Sequence, residues 1–292
     1  MVRWGMVIDL DKCVACGACV VACKQQNNVH PSFEEEYDSF RVTRWMDLLV
    51  IKEGEYPDAY TLVIPRPCMQ CQIPLCVKFC PVGATYKRDD GITMQDYNRC
   101  IGCRACMAGC PYDVRSFTWF DYSKLNRPST LKLSENPDID PPPKGIVHKC
   151  IFCYPRLDKL KYYLERKEGP KIIMNRVGDW EEEAELKGVD KLNYIWGKAI
   201  NLLMLKLLER GDDQIEIQEH FWDDFEPSDF QFLPACVQTC PSRAIIFGDL
   251  SDSESLVSKL SKDTRAFRLL EDKGTMPYVI YLTQERRKIL RE

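Results

Sequence analysis

The chain has 292 residues, of which 45% are hydrophobic, and it carries a formal net charge of −4. This length and apolar content can build a core without covalent staples, which argues against a small disulfide scaffold. No window reaches the roughly 18 apolar residues of a membrane-spanning helix, and the acidic balance disfavours nucleic acid as a partner.

Short stretches of strand-forming residues alternate with cysteine-rich loops along the chain. Residues 4–10 form the first predicted strand, residues 20–25 a short helix in the first loop, and residues 45–51 the next strand. Further strands are predicted at 60–64, 82–86, 92–94, 112–115, 146–148 and 242–247. The pattern is typical of ferredoxin-like βαβ halves.

The 16 cysteines fall into four groups of four, each ending in C-x3-C. The first and third groups are C-x2-C-x2-C-x3-C, the second is C-x2-C-x4-C-x3-C, and a long insert splits the fourth. A proline follows the last cysteine in every group except the first, where Lys24 follows. The groups are Cys13, Cys16, Cys19 and Cys23; Cys68, Cys71, Cys76 and Cys80; Cys100, Cys103, Cys106 and Cys110; and Cys150, Cys153, Cys236 and Cys240.

This spacing predicts four [4Fe–4S] clusters and single-electron transfer. A C-x2-C-x2-C loop wraps three corners of a cubane, and the fourth corner takes a distant cysteine. Structural zinc is the alternative, but it needs only two C-x2-C pairs per ion, so the third cysteine of each loop would be surplus. Disulfides do not require a repeated C-x3-C-P. No cysteine is left over, so no iron has an open position for a substrate.

In two-cluster ferredoxins the last cysteine of each run serves the other cluster, which predicts the ligand sets here. The second and third groups are close in sequence and should pair, and the first should then pair with the fourth. We define set 1 as Cys13, Cys16, Cys19 and Cys240; set 2 as Cys23, Cys150, Cys153 and Cys236; set 3 as Cys68, Cys71, Cys76 and Cys110; and set 4 as Cys80, Cys100, Cys103 and Cys106.

The predicted fold is α+β, with two ferredoxin-like double-cluster modules, one nested within the other, large inserts and a C-terminal helix. The outer module comprises residues 1–30, 146–153 and 234–250, and the nested module residues 60–120. Residues 154–233 are an insert whose apolar helix at 192–208 packs on its own domain or docks a partner. Residues 251–292 are predicted as a helix carrying Leu256, Leu260, Phe267, Leu269 and Leu270, followed by a strand at 278–282.

Motifs for other chemistry are missing from the sequence. There is neither G-x-G-x-x-G after a strand nor G-x-x-x-x-G-K-[ST], and no H-E-x-x-H. The three histidines are His30, His148 and His220. His148, two residues before Cys150, is a candidate hydrogen-bond donor to cluster sulfur, or an ordinary core residue. The chain is therefore predicted to conduct electrons and not to be an enzyme on its own.

The motifs resemble those of a known family. CVACGACVVACK at 13–24, CMQCQIPLC at 68–76, CIGCRACMAGCPY at 100–112 and PACVQTCP at 234–241 are similar to the four-cluster iron–sulfur subunits of the dimethyl sulfoxide reductase family. That group includes the corresponding subunits of polysulfide, thiosulfate, tetrathionate and arsenate reductases, and parts of alternative complex III. The resemblance covers the cluster motifs and the segment from residue 247 onward.

The resemblance implies two partners. One is a catalytic subunit with a molybdopterin cofactor carrying molybdenum or tungsten, near the cluster of the first motif. The other, near the nested unit, is a quinone-interacting integral membrane subunit, or in its place a soluble carrier. Some relatives replace a cysteine of the third motif with tryptophan, whereas Cys103 is present here, which favours four cubanes. The expected location is a membrane-associated complex on either side, with no span or signal peptide of its own.

A free-standing polyferredoxin, shuttling electrons between soluble enzymes, is the alternative function. The large inserts disfavour it, because a diffusing carrier needs little beyond its clusters.

Overall fold

A computed structural model describes residues 1–29, 43–121, 136–168, 170–183, 189–209 and 227–284. Helices and strands are mixed within these ranges, which confirms the α+β class. The strands are β1 Trp4–Asp9, β2 Met46–Glu53, β3 Tyr60–Pro67, β4 Thr85–Lys87, β5 Thr93–Gln95, β6 Ser116–Phe117, β7 Val147–His148, β8 Ile245–Asp249, β9 Ala266–Phe267 and β10 Val279–Leu282. The helices are α1 Ala18–Gln26, α2 Leu75–Lys78, α3 Ala105–Ala108, α4 Tyr154–Glu165, α5 Lys171–Glu183, α6 Val189–Glu209, α7 Ala235–Thr239 and α8 Leu256–Leu260, with 3₁₀ turns at Pro227–Phe232 and Glu271–Lys273.

A four-stranded sheet in the order β8–β1–β10–β9 forms the centre of the described structure. Strand β1 runs antiparallel to β8 and parallel to β10, with Met6 opposite both Phe247 and Val279. All six residues of β1 are buried, as expected of a strand covered on both faces. The sheet therefore joins the two ends of the described chain, and it holds the loop that begins at Cys13 beside the one that contains Cys240.

Three smaller two-stranded ladders accompany the cysteine loops. Strands β2 and β3 form a long hairpin, and β4 pairs with β5 between the second and third motifs. Strand β6 pairs with β7, so that Phe117 lies opposite Val147. The sequence predicts a strand at 112–115, but the observed strand, β6, begins at Ser116. The reason is that Asp113 adopts a left-handed conformation with φ of 50°, which interrupts an extended run.

The insert contributes helices α4, α5 and α6. Helices α4 and α5 each pack on α6, and α6 packs on β8. The apolar stripe predicted on α6 is buried against the protein's own core. Trp196 donates from Nε1 to the carbonyl of Leu157 at 2.9 Å and lies edge-on to Trp4, with the ring centroids 4.8 Å apart. The predicted helix is confirmed, and its apolar face is occupied by its own domain.

Replacing Trp196 with alanine is expected to destabilise the folded protein by about 3–5 kcal/mol, the usual cost of truncating a buried aromatic side chain. Thermal unfolding of the cluster-loaded protein, followed by circular dichroism, measures the loss. Leu205→Ala on the same helix is the matched control, because Leu205 is 44% exposed, and it should change stability by less than about 0.5 kcal/mol. Equal effects from the two variants would contradict the packing described here.

The C-terminal region corrects one prediction. The helix ends at Leu260, Phe267 lies in β9, and Leu270 is left-handed with φ of 50°. The reason is the turn at 261–265, where Asp263 accepts from the backbone N–H of Arg265, whose guanidinium then reaches the carboxylate of Asp11 at 3.2 Å. The predicted strand at 278–282 is confirmed as β10, which lies inside the central sheet.

No helix within the described ranges is long and apolar enough to cross a membrane.

Candidate metal centres

The four cysteine loops share one backbone feature. The second residue after the first cysteine of each motif has positive φ: 54° at Ala15, 47° at Gln70, 68° at Gly102 and 53° at Phe152. Three of these four are not glycine, and such residues rarely adopt that conformation unless their surroundings impose it. The repeated turn folds the backbone around the enclosed sulfurs, and the sequence signalled it only at Gly102.

The segments after the Cys-Pro pairs are also alike. Gly83, Asp113 and Arg243, each three residues after the last cysteine of its motif, are left-handed. In the second motif the backbone N–H of Thr85 points to the Cys80 sulfur at 3.4 Å. Burial raises the pKa of Cys80, but N–H groups of Thr85, Val82 and Ala84 together outweigh it and lower that pKa below its ordinary value. The turn after Cys80 therefore favours its thiolate, the form that binds metal.

The cysteines predicted as set 1 lie together. One cavity of about 20 Å³ is lined by all four of them, with Pro241 and neighbouring backbone. Burial, and then the charges of Cys13 and Cys240, raise the pKa of Cys19 to about 11. The distant Cys240 reaches this place because α7, which precedes it, packs against α1.

The cysteines predicted as set 2 are all buried. Burial, followed by the charges of Cys150, Cys153 and Cys236, raises the pKa of Cys23 well above its ordinary value. The side-chain amide of Asn27 donates towards two of these sulfurs, at 3.7 Å from Cys23 and 3.9 Å from Cys153. The last cysteine of the first motif thus faces the fourth motif.

Set 3 is equally compact. The charges that follow burial in raising the pKa of Cys71 to about 12 include those of Cys68, Cys76 and Cys110. Helices α2 and α3 bring these loops together, and they approach so closely that a Cβ added at Gly109 would lie 2.3 Å from the Phe79 ring. A larger residue at position 109 would push the two loops apart.

In set 4, Thr85 links two of the thiols. Its backbone N–H reaches Cys80, and its side chain hydrogen-bonds Cys106, partly offsetting the burial that raises the pKa of the Cys106 thiol. Cys100 is half-buried and Cys103 is exposed. The loop that carries Cys100 and Cys103 packs closely against Gly145 at Gly102. A Cβ added at Gly102 would lie 2.2 Å from the carbonyl oxygen of Gly145.

The thiols suit iron–sulfur clusters rather than single ions. None of the 16 is in a disulfide, and within the described ranges no three His, Cys, Asp or Glu side chains converge on one ion. A cubane does not need ligands that converge on one point, because each of its four thiolates binds a separate iron. Neighbouring buried thiols that raise one another's pKa are stabilised as thiolates when iron supplies positive charge.

Buried and half-buried cations accompany the thiols, and sequence reasoning missed them. Arg115 neighbours Cys76 and Cys106, and Arg156 neighbours Cys153 and Cys236. Lys149 is 1% exposed and donates to the carbonyl of Cys150 at 2.9 Å. Isolated basic residues carry no periodic signal in a sequence, so only the fold reveals them.

His148 does not show the predicted bond to sulfur. Its Nδ1 accepts from Trp45 Nε1 at 2.5 Å, and its Nε2 is buried without a hydrogen-bond partner among the described residues. Burial, and then the charge of Arg115, lower its pKa to about 3, so it is a neutral core residue. His30 and His220 lie outside the described residues.

Comparisons with known proteins agree with this geometry. A family model described as a 4Fe–4S dicluster domain matches residues 59–124, and one described as a 4Fe–4S binding domain matches residues 4–25. The iron–sulfur cluster-binding subunit of menaquinone reductase from Nitratidesulfovibrio vulgaris is 36% identical over 285 residues, covering 97% of this chain and 89% of the relative. The chain belongs to the iron–sulfur subunits of the molybdopterin oxidoreductase family.

Two further relatives support the assignment of this chain to the iron–sulfur subunits. A selenate reductase subunit from Mesobacillus selenatarsenatis is 31% identical, covering 97% of this chain and 72% of the relative. The arsenate respiratory reductase iron–sulfur subunit of a Shewanella species is 30% identical, covering 96% of each chain.

The predicted function is confirmed at this level. The iron–sulfur subunit carries [4Fe–4S] clusters, the predicted number of four is consistent with its family, and it transfers electrons without being the catalytic part of its complex. The polyferredoxin alternative is disfavoured, because the relatives are subunits of reductases.

Proposed function

We propose that the iron–sulfur subunit holds its four clusters in two interlocked pairs, with the ligand sets 1 to 4 defined above. The outer module, residues 1–30, 146–153 and 234–250, would hold clusters 1 and 2, and the nested module, residues 60–120, clusters 3 and 4. The grouping is supported by the thiol neighbours of Cys19, Cys23 and Cys71, which belong to sets 1, 2 and 3 respectively.

Electrostatic interactions between thiols of different sets support one linear order of clusters. Cys19 of set 1 interacts with Cys236 of set 2, Cys150 of set 2 with Cys68 of set 3, and Cys76 of set 3 with Cys106 of set 4. No thiol interaction recorded for the described residues joins set 1 to set 3 or 4. The proposed path is therefore 1–2–3–4, and each cluster when bound accepts and releases one electron.

The exposure of the cysteines carries this proposal. Cys16 of set 1 and Cys103 of set 4 are the two exposed ligands, whereas the other 14 are buried or half-buried. Exposed apolar side chains lie in the same two motifs, with Val14 63% and Val21 67% exposed in the first and Ile101 64% exposed in the third. Exposed apolar patches of this kind mark contacts with partners, here at the two ends of the path.

The partners follow from the relatives. We assign the end at Cys16 to a catalytic subunit carrying molybdopterin with molybdenum or tungsten, and the end at Cys103 to a quinone-interacting integral membrane subunit. The second assignment is supported by the relative named menaquinone reductase. The complex would then be membrane-associated, and the exposed parts of the insert at 154–233 remain available for docking.

Aspartate at either end is expected to block one partner only. Ile101→Asp places a charge in the apolar patch at Cys103 and should lower electron exchange with a quinol analogue at least tenfold, while turnover with an artificial donor that reduces the catalytic subunit directly is unchanged. Burying an unpaired charge in an interface costs more than the roughly 1.4 kcal/mol that a tenfold loss represents. Quinol-dependent and dye-dependent rates of the purified complex measure both.

Two controls sharpen this experiment. Val14→Asp should also lower quinol-dependent turnover, but quinol should still reduce its clusters, whereas in Ile101→Asp the reduction of the clusters by quinol should itself be slow. Val50→Asp, on the hairpin and 49% exposed, should affect neither rate. If Val50→Asp were as harmful as Ile101→Asp, or if quinol reduced the clusters of both end variants equally fast, the proposed ends would be wrong.

A further inference from the structure

Arg115 lies in the interior between sets 3 and 4. It immediately precedes β6, and its side chain is 4% exposed. Its Nη1 donates to Gln95 Oε1 at 3.0 Å and to Thr85 Oγ1 at 3.4 Å. Thr85 in turn hydrogen-bonds Gln95 at 2.7 Å and is the residue that reaches Cys80 and Cys106. Arg115 is thus built into the polar unit that holds set 4.

Among the described residues, no carboxylate is paired with the charge of Arg115. Its hydrogen-bond acceptors in the described structure are neutral, and its Nε and Nη2 are buried without a partner there. A guanidinium stays charged even when buried, and a buried charge needs an opposite charge nearby. The thiols of Cys76, Cys106 and Cys68 are the groups that interact with it. The unpartnered donors therefore lie where thiolate and cluster sulfur would satisfy them.

Arg115 also differs from the other cations that lie near thiols. The thiols that interact with Arg156, those of Cys153 and Cys236, both belong to set 2. The thiol beside Lys87 is that of Cys71 in set 3. Among the described cations with recorded thiol interactions, Arg115 is the one whose neighbours come from two sets.

We propose that Arg115 is a shared positive charge that raises the reduction potentials of clusters 3 and 4 together. The inference rests on the ligand sets proposed above. Each electron adds one negative charge to a cluster, so a fixed cation beside both favours the reduced form of both. Because the same charge raises the reduction potentials of both clusters, the two potentials stay close. An electron then passes between the clusters without a large change in free energy. The guanidinium of arginine carries five donors in a planar fork, so it can donate towards two clusters on different sides at once.

Redox titration of Arg115→Gln, followed by electron paramagnetic resonance, tests the proposal on the cluster-loaded complex. Both cluster 3 and cluster 4 should become harder to reduce, each by about tenfold in the equilibrium constant, which is about 59 mV for one electron. Clusters 1 and 2 should keep their potentials. Arg156→Gln is the matched control, and it should shift cluster 2 alone. A purely structural role for Arg115 would change iron content and leave the potentials where they are.

Serine variants separate failure of this inference from failure of the ligand sets. Cys76→Ser and Cys106→Ser should alter two different signals, and if both alter the same signal the proposed sets are wrong. If they alter two signals but Arg115→Gln shifts neither or only one, the shared-charge role is overturned. Should Arg115→Gln fail to assemble, the neutral variant Arg115→Met takes its place, with Arg115→Lys as the control that keeps the charge. The potentials of clusters 3 and 4 should fall in the methionine variant and stay near their original values in the lysine variant, and equal potentials in the two variants would contradict the proposal.

Discussion

Replacing Cys23 with alanine is expected to abolish or alter cluster 2 and to leave cluster 1 intact, although Cys23 belongs to the motif that wraps cluster 1. The reason is geometric, because the thiol of Cys23 faces Cys150, Cys153 and Cys236. Chemically determined iron should fall below the roughly 16 atoms of four cubanes, and the electron paramagnetic resonance signal of cluster 2 should change. Electron transfer through the complex should drop by orders of magnitude, since the path is interrupted at its second position.

Cys240→Ala is the reciprocal variant. Cys240 belongs to the fourth motif but lines the cavity shared with Cys13, Cys16 and Cys19, so its loss should alter cluster 1 and spare cluster 2. Asn27→Ala provides a milder control, because it removes an amide donor to Cys23 and Cys153 while every ligand remains. Loss of cluster 1 from the Cys23 variant, with cluster 2 unaffected, would show that each motif keeps its own last cysteine.

Removal of iron is expected to lower the melting temperature of the iron–sulfur subunit by about 10 °C or more. In the proposed ligand sets the clusters tie the first motif to the fourth, and binding that exists only in the folded state adds to folding stability. Without iron, burial and mutual repulsion raise the pKa of Cys19, Cys23 and Cys236, so the thiols protonate and nothing links the loops. A loss of a few kcal/mol corresponds to that shift for a domain of this size.

Anaerobic treatment with a chelator and a reductant, followed by thermal unfolding, provides the measurement. Reconstitution with iron and sulfide should restore the original melting temperature, which separates loss of clusters from irreversible damage. If the iron-free protein had the same melting temperature as the cluster-loaded protein, the central sheet and the core around Trp4 and Trp196 would fold independently of the clusters.

Much of the architecture around the loops was predictable from sequence, because its causes are local. Three predicted elements correspond to observed ones. They are the strand before Cys13, observed as β1, the helix within the first cysteine motif, observed as α1, and the long helix at 192–208, observed as α6. Each depends on a short apolar run or a helical period that is visible in the residues themselves. The cluster type could be inferred in the same way, since cubane geometry imposes the cysteine spacing.

Long-range pairing was not predictable. Nothing in residues 279–282 indicates that β10 enters the central sheet parallel to β1, or that β6 pairs with β7 across the insert before Val147. Apolar alternation gives a strand but not its partner. The tail helix was predicted too long because Phe267, Leu269 and Leu270 extend the apolar pattern, whereas the Asp263 turn and the salt bridge of Arg265 to Asp11 end the helix.

The surroundings of the sulfurs were also hidden. Gln70 and Phe152 occupy the same left-handed position as Gly102, but their side chains give no sign of it. Arg115 looked like any surface arginine until the fold placed it between two sets of thiols. Positions of this kind are set by three-dimensional packing and by the clusters, so composition and spacing cannot reveal them.

The most direct test of the proposed electron path is the anomalous iron signal in crystals of the anaerobically prepared iron–sulfur subunit or its complex. The proposed path predicts four separate groups of iron peaks, one for each cluster, arranged in a line. Cys16 should bind the cluster at one end of this line and Cys103 the cluster at the other. It also predicts that Cys23 binds the cluster of Cys150, Cys153 and Cys236. A branched arrangement, or Cys23 on the same cluster as Cys13, Cys16 and Cys19, would contradict it.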